Sequence, residues 1–173
     1  MLIELGKRSH TLHVVDLLVE CHGRIRRFLD LATRLAQTRN PNVDDVRDTA
    51  GQIRRYFTEA LPLHIADEDE LVEQSLRGRS EIVDDALEKM STEHAHHEPL
   101  VDRLVEVTAM LERQPARLEE LAMELHEIAV LLQVAFDPHL AREEAIIFPA
   151  LRSLAATELD AIKAGMRGRR EGR

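Results

Sequence analysis

Apolar residues recur three and four positions apart along most of the chain, the spacing of one face of an α-helix. Leu18, His22, Ile25, Leu29, Ala32 and Ala36 follow that rule and predict a first helix from about Ser9 to Thr38. The breaker "RNPN" at 39–42 ends it. A second pattern from about Val43 to Leu76 carries Val46, Ala50, Ile53, Phe57, His64, Glu68 and Leu71 on its inner face. "RGRS" at 77–80 interrupts again, with Gly78 suited to a helix C-terminus and Ser80 to an N-cap. A third helix is expected from about Glu81 to Arg113, with His97, Leu100, Leu104, Val107 and Leu111 in register. Pro115 stands where a first-turn proline would. The fourth pattern runs from about Ala116 toward Phe148 through Leu121, Leu125, Ile128, Leu132, His139 and Glu143, and a short fifth covers about Thr157 to Met166. Short connections between long helices make neighbours antiparallel. The expected fold is therefore all-α, an up-down-up-down four-helix bundle with a short extra C-terminal helix. One domain over residues 1–167, with a basic flexible tail at 168–173, accommodates the length.

The apolar stripes are broken by polar residues at one level. His22, His64, Glu68, His97, His139 and Glu143 all fall on inner faces. A carboxylate on an apolar face is costly unless paired or metal-bound. Pro62, Pro99 and Pro138 each lie within two residues of such a His, and each is expected to kink or interrupt its helix. His-x-x-x-Glu occurs three times, at His64/Glu68, His94/Glu98 and His139/Glu143, so the spacing alone carries little. Registration carries more. An offset of 75 residues brings His22 onto His97, His64 onto His139, Glu68 onto Glu143, Ile25 onto Leu100 and Leu29 onto Leu104. Helices one and two thus repeat as three and four, each half contributing His…His-x-x-x-Glu. Positions i and i+4 share a helix face, so each His and Glu can reach one cavity. Imidazole and carboxylate together suit iron, zinc or manganese. Four His and two Glu would make a dinuclear centre, with a Glu able to span both ions. Asp69 and Glu144 also coincide under the offset and are expected to play at most a supporting part.

Composition narrows the alternatives. A net charge of −9 opposes nucleic acid as a main partner. Aromatics at 3% with no Trp leave no stacking platform for single strands. No apolar run has the length of a membrane span, and the first residues lack a signal peptide's apolar core. The lone Cys21 excludes an intrachain disulfide framework and a Cys-rich zinc site. Together these features point to a cytoplasmic protein that engages neither nucleic acid nor membrane. Arg167, Arg169, Arg170 and Arg173 are read as a solvated terminus, His10, His13, His96 and His126 as surface residues, and Cys21 as an inert thiol. Tyr56 is a weak candidate for a hydrogen bond near the site.

Four stretches carry a family resemblance: "CHGRIRRFL" at 21–29, "HIADEDELV" at 64–72, "HHEPLVDRL" at 96–104 and "HLAREEAIIFPAL" at 139–151. Over about residues 10–167 the chain resembles the hemerythrin-like, or HHE cation-binding, family. The resemblance implies two non-haem iron ions, with His22, His64, His97 and His139 as terminal ligands and Glu68 and Glu143 as bridging carboxylates. Zinc or manganese would use similar donors. The chain departs from oxygen-carrying hemerythrins, which place two His four apart on the third helix and an Asp five after the last His. Here Glu93 is the partner of His97 at that spacing, which makes it a possible extra ligand, and Glu143 follows His139 by four. His94 lies on nearly the same face as His97 and is a further candidate, as a fifth ligand or in place of His97, and the sequence leaves open which of the two is the third-helix ligand. The implied function is binding a small diatomic or oxo ligand, such as oxygen or nitric oxide, for sensing, buffering or storage. The alternative is a di-iron enzyme handling peroxide or nitric oxide, for which the sequence assigns no further acid or base. The ferritin-like pattern needs Glu-x-x-His on two helices, and only Glu93/His96 has that spacing.

Overall fold

A computed structural model describes residues 13–172. The expected helix start at Ser9, the surface assignment of His10 and the last arginine, Arg173, lie outside the described residues. Among these residues there is no strand. Helix α1 (Val14–Gln37) begins at His13, whose ring accepts from the Val15 amide while the Asp16 carboxylate accepts from the His13 amide. His13, read as a plain surface residue, is thus a cap. The second rod runs unbroken from Val43 to Leu76, as α2 (Val43–Arg55), α3 (Leu61–Ala66) and α4 (Glu73–Leu76) joined by π-helical turns at Tyr56–Ala60 and Asp67–Val72. Gly78 takes φ 79°, a left-handed conformation that suits glycine at a helix end, and the Ser80 hydroxyl caps the next helix through the Val83 amide.

Helix α5 (Glu81–Arg113) and the rod formed by α6 (Leu118–Arg142), a π turn at Glu143–Ile147 and α7 (Phe148–Arg152) complete the bundle. Helix α1 packs on α2 and α6, and α5 on α2 and α6, closing a four-membered ring of antiparallel rods. Two of the three prolines leave their helices uninterrupted, and the third stands at a break as expected. Pro99 and Pro138 sit inside continuous helices, and Pro62 occupies the first turn of α3 directly after a π turn. The irregularity is concentrated instead in the π turns, where an extra residue per turn re-aims the side chains that follow.

Two apolar clusters fill the bundle. One runs from Ile25 and Leu61 to Leu104, Leu132 and Leu140, and the other joins Val14, Leu18, Val72, Met90, Ile147 and Leu151. Their chain positions bracket the polar level on every rod: His22 lies between Leu18 and Ile25, His64 and Glu68 between Leu61 and Val72. The polar layer is therefore sandwiched, with hydrocarbon above and below it. Burying each large aliphatic side chain contributes roughly 2 kcal/mol, so the clusters hold the rods in the register the polar residues need.

The last helix, α8 (Ala156–Glu171), is longer than the sequence pattern suggested and absorbs most of the residues expected to form a solvated tail. Ile162 and Met166 close the second apolar cluster. Arg170 donates to the buried Asp67 carboxylate at 2.8 Å, and Arg169 pairs with both Asp67 and Glu70. Gly165 allows the close approach, since a Cβ there would stand 2.8 Å from a Leu71 methyl. A buried acid drew the arginines inward, and Asp67 lies on no face where the apolar pattern alone predicts a partner.

Candidate metal centre

The polar layer is a cage of imidazoles and carboxylates with almost no contact with solvent. His22, His64, Glu68, His139 and Glu143 are buried to within 2% of complete. Both glutamates lie in π turns, Glu68 in Asp67–Val72 and Glu143 at the start of Glu143–Ile147. Donor atoms of His22, His64 and Glu68 lie within 4.8 Å of one another, and so do those of His94, His139 and Glu143.

Each glutamate faces both trios. Glu68 Oε1 stands 3.7 Å from His22 Nε2 and 3.4 Å from His64 Nε2, while its Oε2 stands 3.4 Å from His94 Nε2. Glu143 Oε2 is 3.1 Å from His22 Nε2, and its Oε1 is 3.1 Å from His139 Nε2. None of the four carboxylate oxygens has a hydrogen-bond partner among the described residues, nor do His22 Nε2 and His64 Nε2. Buried polar atoms are normally satisfied, and convergent lone pairs left open at this depth fit a cation.

Outer carboxylates hold three of the rings. Nδ1 of His22 lies 2.9 Å from Glu144, which also accepts from Arg26 at 2.9 Å. Nδ1 of His94 lies 3.0 Å from Asp69. Nδ1 of His139 lies 2.9 Å from Glu93, which accepts from Arg142 at 2.7 and 2.6 Å. With Nδ1–H donating outward, each ring turns the Nε2 lone pair into the cage. Phe148, in the "IIFP" stretch, packs on His22 with ring centroids 4.9 Å apart.

On the third helix it is His94 that joins His139 and Glu143, while His97 belongs to neither trio. The rings of His97 and His139 meet edge-on at 5.1 Å, and His97 also packs on Phe136. Glu93 lies outside the cage, holding His139. The displaced register has a simple source. The offset of 75 matches helix two to helix four, but an offset three residues shorter carries His22 to His94. The repeat thus carries two offsets, 75 between the second and fourth rods and 72 between the first and third. Asp67, Arg26 and Arg142 gave no periodic signal, since charged residues beside a motif look like any solvated helix face. Of the residues set aside, His96 is exposed and His126 is half-buried. Cys21 is half-buried and outside both trios, and its carbonyl accepts from the Tyr56 hydroxyl at 3.4 Å.

Without a cation the cage is electrostatically divided. Burial opposes charge on His22 and His94, but their carboxylate neighbours outweigh it and raise both to about 10. Burial lowers His64 to about 4, with neighbouring His charge adding to it and Glu68 only partly offsetting it. Burial and the charge of Glu68 push Glu143 up to about 7. Burial opposes the Glu68 charge as well, yet His64, His22 and His94 hold that carboxyl below the usual range. Protons thus stand where a cation would otherwise balance charge.

A four-helix bundle that converges buried imidazoles and two carboxylates at one level is of the kind that holds metal ions between facing helices. The chain matches the model of the hemerythrin HHE cation binding domain over residues 13–151 and belongs to that family. No curated protein matches it. No helix among the described residues is long and apolar enough to cross a membrane.

Proposed function

We propose that the chain binds two iron ions, one by His22 and His64 and one by His94 and His139, with Glu68 and Glu143 shared between them. The observation that supports this reading best is that each glutamate turns one oxygen toward each trio, with every one of those oxygens otherwise unpartnered. Zinc or manganese fits the same donors, and iron is favoured by the family. Such a pair of ions supplies reversible binding and one-electron chemistry toward small ligands. The chain's own residues fix the ring tautomers through Glu144, Asp69 and Glu93, and exclude water with the two apolar clusters. Dioxygen or nitric oxide is the ligand class we assign, for sensing, buffering or storage in the cytoplasm.

The test is metal content together with an absorption spectrum. Chain loaded with ferrous ion without air and then exposed to air is expected to hold two irons and to show the near-ultraviolet bands of a coupled ferric pair. His64→Ala and His139→Ala are each expected to hold about one iron or fewer. Fewer than one iron in the unaltered chain, with no such bands, overturns the reading.

A further inference from the structure

Anything that reaches the cage must first cross the bundle wall, and the wall is nearly closed. Among the described imidazoles and carboxylates of the polar layer, only His94 and His97, at 6% and 7% exposure, keep more than marginal contact with solvent, and both line one cleft of about 560 Å³ between the second and third rods. A smaller cleft of about 350 Å³ touches Glu144 and Phe148 on the opposite side, but no donor of either trio lines it, and Arg26 and Arg152 do.

The larger cleft has the opposite charge. Asp69, Glu70, Glu98 and Asp102 stand along it, and no lysine or arginine is among its described lining residues. Asp69 is engaged by His94 and Glu70 by Arg169, which leaves Glu98 and Asp102 as exposed acids one turn apart on α5. Phe57, Pro62 and Phe136 add apolar wall to the same cleft. Acidic groups at the mouth of a low-dielectric cleft focus their field and concentrate counter-ions. His97 lines the same cleft, and its buried Nδ1 has no hydrogen-bond partner among the described residues. Its ring lies against that of His139. Resting on the two-ion reading of the cage, the geometry points to this cleft as the route by which a divalent cation enters, with Glu98 and Asp102 gathering it and His97 holding it in transit to His94 and His139.

The test is the rate of ferrous ion uptake by the metal-free chain, followed by stopped flow at low and high ionic strength. Glu98→Gln combined with Asp102→Asn is expected to slow uptake about tenfold at low salt, with the difference shrinking at high salt. Final iron content stays at the unaltered value. Asp45→Asn with Asp48→Asn, exposed near the other end of the second rod, changes net charge equally and is expected to leave the rate alone. His97→Ala is expected to slow uptake at both salt concentrations without lowering final content. Equal rates in the Glu98/Asp102 double variant and the unaltered chain overturn the route while the cage stands. A lower final content in His97→Ala makes His97 a resident ligand and overturns its transit role. No uptake by the unaltered chain overturns route and cage together.

Discussion

His64 and His139 occupy equivalent places, each four residues before a shared glutamate on a rod of the same direction, yet their surroundings differ. Nδ1 of His139 lies against Glu93, and Glu93 is held by Arg142. His64 has no hydrogen-bond partner at either nitrogen among the described residues. Under the shorter offset that carries His22 to His94, the counterpart of Glu93 is Cys21, a residue that cannot supply a carboxylate. A carboxylate behind an imidazole fixes its tautomer and raises its strength as a donor. The second half of the cage therefore has two supported rings and the first half only one. Under the two-ion proposal, equal donor sets do not make equal sites, and an ion held by His22 and His64 is expected to be the weaker bound.

The shared glutamates are where the halves cease to be separate, so removing one has the largest expected effect. Glu68→Ala and Glu143→Ala should each lose both ions rather than one, leaving well under half the iron of the unaltered chain by plasma emission. Loss of a single ion in either variant would mean that the carboxylates serve the halves independently. Glu93→Gln removes the difference between the halves without touching a donor. Its expected effect is a fall of about 10- to 100-fold in affinity for the more tightly held ion, read by competition with a chelator. Two ions of closely similar affinity should result. An unchanged pair of affinities would show that the Glu93 contact has no part in ranking them.

Protons and a metal ion would balance the same charge in the cage. The raised values of His22 and His94 mean that their protonated forms stabilise the metal-free fold. That contribution is fully present below the unfolded value near 6.5 and is lost as pH rises toward about 10. The raised value of Glu143 works in the same direction up to about 7, because ionising it in the cage costs more than ionising it in the unfolded chain. The melting temperature of chelator-treated chain should fall between pH 6.5 and 9. Zinc-loaded chain should hold its melting temperature over the same range, since the cation takes over the balancing of charge. Parallel falls in both would place the metal elsewhere.

Much of the architecture was legible because apolar spacing and breakers report on burial directly. The four rods, the Gly78 and Ser80 ends and the level of the polar layer all follow from it. Periodicity also assigned His22, His64, Glu68, His139 and Glu143 to inner faces, where the structure has them. It could not choose between His94 and His97, because both point within a few tens of degrees of the same face. The structure brings His94 to Glu68 and turns His97 toward Phe136. Nor could it see the π turns. A single extra residue per turn leaves composition unchanged, and only hydrogen bonding over the longer span reveals it. The outer carboxylates were legible as coincidences at Asp69 and Glu144, whereas Glu93, a possible extra ligand by its spacing to His97, lies against Nδ1 of His139.

The residues just before the shared glutamates carry the last contrast. Position 142 is an arginine tied to Glu93, while its counterpart, position 67, is an aspartate tied to α8. Asp67 is fully buried, and burial raises its carboxyl above the usual value despite Arg170 and Arg169. Folding therefore gains little from the ionised acid itself, and Asp67→Asn should move stability by less than about 1 kcal/mol. Arg170→Ala is the more damaging change, because it strips a partner from a carboxylate that stays buried. Breaking a fully buried pair costs about 3–5 kcal/mol. Arg170 is 40% exposed and Arg169 remains, so a loss of about 1–2 kcal/mol is expected. For a chain of this length that is a fall of about 2–8 °C in melting temperature. Combining Asp67→Asn with Arg170→Ala should recover most of it, as no buried charge is then left alone. A double variant as unstable as Arg170→Ala would instead locate the contribution of Arg170 in its packing on α8.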